Sequence, residues 1–272
     1  MNLLTVFIGN RSIQDYFNKL TKSDGLSHAY LFYGPEGVGK KLFALKISEE
    51  MSGSLISNPD IRIIDKGDEE IYISDIRDLK SFIYLTPFGK YKFVLINNAQ
   101  KLNQEASNAL LKILEEPPGK ATIFLITHLP KVLLPTVISR CHLVRFKPLT
   151  GKEIFEFLTL GKEVKKDIAL SIVKLANGSL GLALNLADNF ENFQKNINLF
   201  NKLIKADFQE RFEAAKKISG SDDLKKIVGD WLIYSASMPD KKFTKELMYL
   251  SNIVSRPQFN HRLFLENFLI NV

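Results

Sequence analysis

A chain of 272 residues, 45% apolar and 25% charged, can form one large globular domain or two to three small ones, and no run in it is long and apolar enough to span a bilayer. Its single cysteine, Cys141, excludes an internal disulfide and any cysteine-based zinc site, and the opening Met1 to Phe7 carries no basic start or small-residue cleavage site, so no signal peptide is expected and a cytoplasmic protein is the simplest reading. A net charge of +7 suits a nucleic-acid or acidic-protein neighbour, although the lysines are spread along the chain.

Helical spacing comes first, with Ile8, Ile13, Tyr16, Phe17 and Leu20 recurring before Ser23-Asp24-Gly25 ends it. His28, read as structural, precedes the apolar run Ala29-Tyr30-Leu31-Phe32-Tyr33. Then come Gly34-Pro35-Glu36-Gly37-Val38-Gly39-Lys40-Lys41 and a helical pattern reaching Met51. Strand, glycine-rich loop and helix make the context of a phosphate-binding loop: backbone amides turn inward, the helix N-terminus adds positive dipole, and Lys40 reaches the terminal phosphates. The next position, where a Ser or Thr hydroxyl holds Mg²⁺, is Lys41.

Ile61 to Asp65 reads as a second strand. Ser74 is expected to cap a helix carrying Ile76, Leu79, Phe82 and Ile83, which Thr86-Pro87-Phe88-Gly89 breaks. Phe93-Val94-Leu95-Ile96 suits a central parallel strand covered on both faces. A working phosphate-loop ATPase ends this strand with an Asp for Mg²⁺ and a Glu for the attacking water. Here those positions are Asn97 and Asn98. With Lys41, three positions that serve metal and water are lost, which argues against ATP hydrolysis.

Ala106, Leu110, Ile113 and Leu114 form the buried stripe of a helix that Pro117-Pro118 stops. Thr122 to Thr127 is a fourth strand, and Thr127 either meets a phosphate or caps the following turn. Ser139-Arg140-Cys141 leads into a last strand, Leu143 to Phe146. Arg140, just before it, is either an outward-projecting cation or half of a surface salt bridge, and Cys141 is a small packing residue. Beyond Pro148-Leu149-Thr150 no strand is expected. Helices span 152–160, 164–176 and 180–187, and helices fill 191–272, with Phe193, Ile197, Phe200, Leu203 and Ile204 as a stripe and Pro239 and Pro257 as breaks. The Lys216-Lys217, Lys225-Lys226 and Lys241-Lys242 pairs read as solvated faces.

At Leu114-Glu115-Glu116-Pro117-Pro118 the chain resembles the bacterial DNA polymerase III clamp-loader subunits, the delta-prime type most closely. His28 to Phe32, Ile73 to Arg77, Asn108 to Lys112, Ser139-Arg140-Cys141 and Gly178 to Ala183 follow the family order over residues 7–187. The resemblance implies an α/β fold: an AAA+ module with a mostly parallel five-stranded sheet at 1–148, a three-helix lid at 149–190 and an all-α collar at 191–272. It implies assembly with gamma/tau and delta subunits to load a sliding clamp onto primed-template DNA. In that family each ATP site takes an arginine finger from a neighbour's Ser-Arg-Cys motif, which makes Arg140 the finger and this chain a non-hydrolysing stator. The alternatives are a gamma/tau-like motor or an accessory DNA-binding paralogue.

The resemblance also makes Gly34, Pro35, Gly37, Val38, Gly39, Lys40, Lys41 and Thr127 a degenerate nucleotide site, with Thr127 at the first sensor position. ATP or ADP is either bound there without hydrolysis or excluded by Lys41, and no cofactor is required. Gly178 to Gly181 lacks the arginine that senses the γ-phosphate in motor subunits. Glu49 to Asp60 contains no cysteine, so the zinc module of many relatives is not expected. Lys101 and Lys112 lie on the element that resembles the DNA-facing one, where they either contact duplex phosphates or are solvated.

Overall fold

Five strands, β1 (Ala29–Tyr33), β2 (Ile61–Ile64), β3 (Lys92–Ile96), β4 (Ala121–Thr127) and β5 (His142–Arg145), pair in parallel in the order β2-β3-β4-β1-β5. The computed structural model describes residues 7–53, 58–117, 119–238 and 243–271. Residues 1–6, where no leader was expected, Pro118, Pro239 and the Lys241-Lys242 pair lie outside them.

Side chains alternate across a strand, and this alternation sorts the sheet into two chemically distinct faces. Ala29, Leu31, Val94, Ile96, Ile123 and Leu125 join an aliphatic core with Leu79 of α3 (Ile73–Ile83) and Leu110 and Ile113 of α4 (Gln104–Glu115). Tyr30, Phe32, Phe93 and Phe124 form an aromatic layer with Phe17 of α1 (Arg11–Lys22), Phe43 of α2 (Lys40–Ser52) and Phe146. β3 is buried at every position, as its apolar run requires. Its first residue, Lys92, is buried too and pairs at 3.5 Å with the buried Asp60 carboxylate.

Ser74 does not cap α3. The helix begins at Ile73 with Tyr72 at the N-cap, and Asp75 Oδ2 reaches back to accept the Tyr72 backbone N–H at 2.8 Å. The N-terminus of α4 is capped by a side chain: Asn103 Oδ1 accepts the Ala106 N–H at 2.8 Å.

The chain divides into two compact units, residues up to 154 together with 178–181, and 155–177 together with 182–272. Among the described residues every strand belongs to the first. The second is helical: it holds the end of α6 (Gly151–Glu156), α7 (Lys166–Ala176), α8 (Leu180–Asp188) from Leu182 onward, α9 (Phe190–Lys205), α10 (Phe208–Ser219), α11 (Leu224–Ser237), α12 (Thr244–Val254) and α13 (His261–Asn271). The expected lid, 149–190, does not coincide with a unit: residues 149–154 and 178–181 fall in the first and the rest in the second, which also contains residues 191–272. Two polar fixtures organise its core. Arg211 donates to the carbonyls of Ile204, Ala206 and Leu269 at 2.7–3.0 Å, at the C-terminal ends of α9 and α13. Trp231, fully buried, donates from Nε1 to Asn196 O at 2.9 Å. No helix of the described residues is long and apolar enough to cross a membrane.

Candidate functional site

The glycine-rich loop leaves the C-terminal end of β1, the edge of a parallel sheet where ligands bind in open α/β folds. Its bends need glycine. Gly34 has φ 140°, and a Cβ there would sit 2.2 Å from Phe146 O; Gly37 has φ 73°, and its Cβ would sit 2.0 Å from Ser179 Oγ. The second contact comes from the Gly178 to Gly181 turn, whose Gly181 N–H donates to Gly37 O at 2.8 Å. Gly39 stands at the N-cap of α2 and offers no side-chain acceptor to its first amides.

Lys40 is buried, and its Nζ donates to Gly34 O at 2.8 Å and Pro35 O at 2.5 Å. Burial pushes its pKa down to about 8, with Glu36 opposing weakly. A buried ammonium held by neutral carbonyls beside a helix N-terminus is a site that an anion would complete. These residues fit a phosphate group.

They do not fit Mg²⁺. Lys41 Nζ lies 2.6 Å from Asp65 Oδ2, and Asn97 also hydrogen-bonds the Asp65 carboxylate. Partial burial would raise the Asp65 pKa, but these bonds, the charge of Lys41 and the Gly67 N–H together outweigh it and hold the carboxyl below its ordinary value. Asn98 takes a left-handed conformation, φ 53°; its Nδ2 donates to Gly67 O at 3.2 Å and its Oδ1 accepts from Gln100 Nε2 at 3.2 Å. Among the described residues no group of three or more His, Cys, Asp or Glu is arranged to hold a metal.

Thr127 is buried at the end of β4. Its hydroxyl donates to Gln100 Oε1 at 2.7 Å and accepts the Leu129 N–H at 3.0 Å, so it caps the turn that follows the strand. Arg140 follows α5 (Pro135–Ile138) on the turn into β5. Its guanidinium donates to Thr136 O at 3.0 Å and pairs with Glu115 Oε1 at 2.7 Å, and its side chain is 35% exposed. Cys141 beside it packs against the aliphatic core, and burial pushes its thiol up to about 12, which keeps it unreactive. Lys101 and Lys112 are not brought together: one ends the turn before α4 and the other lies exposed in its last turn.

Sequence reasoning missed Asp65 and Glu115. Asp65 had a signal, an acid closing β2 level with Asn97, since Ile64 pairs with Ile96. Glu115 had none, because only folding brings the end of α4 to the α5 turn.

Residues 9–150, which hold the loop, Asp65, Asn97, Thr127 and Arg140, match the family described as DNA polymerase III, delta subunit. The chain belongs to this family. Within it the similarity runs to delta-prime subunits: 36% identity over 140 residues to that of Pseudomonas aeruginosa, covering 42% of each chain, and 31% over 196 residues to that of Bacillus subtilis, covering 64% of this chain and 58% of that one. A gamma/tau subunit from Mycoplasma genitalium is 31% identical over 210 residues, 68% of this chain and 35% of its own. The matched stretch thus spans about half the length of these delta-prime relatives and about a third of the gamma/tau subunit. Among solved structures, a gamma-subunit-related protein of DNA polymerase III from Thermotoga maritima superposes with a TM-score of 0.60 at 22% identity, covering 94% of this chain and 97% of that one. The Holliday junction branch migration motor RuvB of the same organism gives 0.55 at 18% identity over 71% of this chain and 65% of its own. These two likenesses show the fold alone.

Proposed function

We propose that the chain is the stator of a DNA polymerase III clamp loader: a cytoplasmic subunit that assembles with gamma/tau and delta subunits, does not hydrolyse ATP, and lends Arg140 to a neighbour's ATP site while the sliding clamp is loaded onto primed-template DNA. In this reading residues 1–148 are the AAA+ module, 149–190 the lid and 191–272 the collar. The supporting observation is a division of chemistry inside one module. The positions that would hold metal and water are committed to Asp65, Gly67 and Gln100, while the guanidinium of Arg140 stands at a partly exposed turn. Its pairing with Glu115 does not oppose the role. A half-exposed pair is worth up to about 1 kcal/mol, little beside charge-assisted bonds to a transferring phosphoryl group. The similarity to a gamma/tau subunit favours a second reading, an ATP-hydrolysing motor.

The test is the clamp- and primed-DNA-stimulated ATPase of the partner motor and delta subunits, measured with no addition, with the chain, and with Arg140→Ala, assembly being checked by sizing. The chain is expected to stimulate and to be silent alone. The variant is expected to assemble and stimulate at least roughly a hundredfold less at the site it faces, as removal of an arginine finger does. ATP turnover by the chain alone would install the motor reading. Full stimulation by Arg140→Ala would remove the finger.

A further inference from the structure

Lys41 occupies the position from which a phosphate-loop enzyme holds its metal through a hydroxyl, and Asn97 the position from which it does so through a carboxylate. Here both side chains converge on a third group. Lys41 Nζ is 2.6 Å from Asp65 Oδ2, and Asn97 hydrogen-bonds the same carboxylate. The register of β2 on β3, Ile64 against Ile96, sets Asp65 and Asn97 side by side at the sheet edge where the loop and α2 begin. A divalent ion placed here would meet an ammonium. At about 4 Å and an effective dielectric of 20, each unit of like charge is repelled by about 4 kcal/mol.

The anion-binding half of the loop is kept. Lys40 is 7% exposed and directed at the loop's own carbonyls, Gly34 and Gly37 have positive φ, and the first amides of α2 have no side-chain cap. Two ammonium groups and the roughly half charge of a helix N-terminus, offset in part by the Asp65 carboxylate, come nearer to balancing a nucleoside diphosphate without metal than a triphosphate.

We propose that this loop takes a nucleoside diphosphate as the metal-free anion, with Lys41 as the fixed counter-ion. The proposal rests on reading the loop as a phosphate site of a non-hydrolysing subunit. It also gives Lys41 two partners in turn: Asp65 when the loop is empty, and phosphate oxygen and Asp65 together when it is filled. Asp65 then acts as a positioning residue that keeps the ammonium at the loop.

The experiment is calorimetric titration of the full chain with ADP, in EDTA and in millimolar Mg²⁺, with circular dichroism as the control for folding. Counted on uncomplexed ADP, since Mg²⁺ itself binds ADP and lowers its free concentration, wild type is expected to bind with the same Kd in the two buffers, within about twofold. Lys41→Thr restores the hydroxyl and releases Asp65. Loss of a charge-assisted bond should weaken its ADP binding in EDTA by about tenfold or more, and Mg²⁺ should recover part of the loss. Lys41→Arg, which keeps the charge, should keep the indifference to Mg²⁺. Tightening of wild-type binding about tenfold by Mg²⁺ overturns the proposal. So does equal binding by wild type and Lys41→Thr in EDTA, or no ADP bound at millimolar concentration. The ATPase experiment above needs no nucleotide on this chain: absence of ADP binding leaves Arg140 as the finger, full stimulation by Arg140→Ala leaves the ADP site, and ATP turnover by the chain alone overturns both.

Discussion

Lys40 and Asp60 are both buried charges, and the protein satisfies only one of them internally. Asp60 accepts the N–H groups of Phe88 and Gly89 at 3.0 and 2.6 Å and faces Lys92. It is a closed arrangement that fixes the loop before β3. Lys40 has carbonyls for partners, and burial has brought its pKa to about 8. A group left in that state is a mark of a site that binds something. The direction of the pH effect follows. A bound phosphate favours the ammonium, so binding is strongest below pH 8, where Lys40 is already protonated in the free chain. Above pH 8 binding must take up a proton, and ADP affinity should fall by roughly tenfold per pH unit. Glu36 is the neighbouring charge to account for, and Glu36→Gln should shift the onset downward, because Glu36 favours the ammonium. Titrations between pH 7 and 9.5 check this, and a flat profile would take Lys40 out of the site. The sequence made Lys40 legible through the loop pattern around it. It offered the turn cap of Thr127 and the salt bridge of Arg140 as alternatives but hid their partners, which come from segments remote in the chain, Gln100 for one and Glu115 for the other.

Elements were read well where one period dominated. The unbroken apolar run Phe93 to Ile96 announced β3 as a strand covered on both faces, and the stripe Ala106, Leu110, Ile113, Leu114 announced α4, because burial enforces both patterns. Ends were read less well. At α3 the expected cap, Ser74, is already inside the helix: Tyr72 stands at the N-cap, and Asp75, which bonds back to its N–H, also pairs with Lys66 at 2.9 Å, a partner nine residues away that the local pattern does not reveal. α4 matters more for the site, since its last residue, Glu115, holds Arg140 and its cap residue, Asn103, anchors its start. Asn103→Ala should cost about 1 kcal/mol of stability through the lost cap, lowering the thermal midpoint by roughly 2–4 °C. Asn103→Asp should recover most of it. A midpoint unmoved by Asn103→Ala would mean that packing against the sheet, and not the cap, fixes the start of α4.

Across the whole molecule, shifted aspartates are divided between the two units by sign. Asp24, Asp60, Asp65 and Asp75, all in the first unit, are held below the usual carboxylate range. For Asp24 the main cause is its hydrogen bond from Lys90. For the other three, burial acts in the opposite direction and is outweighed by lysine partners and backbone or amide N–H donors. Asp230 in the second unit goes the other way: burial raises it, and the 2.7 Å bond from Asn196 and the charge of Lys226 only partly compensate. A lowered carboxyl contributes stability that is present above its unfolded value, near 4, and lost as pH falls through its folded value. A raised one contributes stability at low pH that is lost as pH rises through its folded value. Acid should therefore weaken the first unit below about pH 4 while relieving a cost in the second. The chain supplies a probe for each. Trp231, its sole tryptophan, is buried in the helical unit, and every strand of the described residues lies in the other. On acid titration the β-sheet band of the infrared amide I spectrum should collapse at a higher pH than the one at which Trp231 emission shifts to the red. Asp230→Asn, which removes the costly ionisation, should leave the sheet transition in place and flatten the pH dependence of the tryptophan signal. Coincident transitions for both probes would show instead that the two units unfold as one cooperative body, with the sign difference among their aspartates hidden inside a single titration.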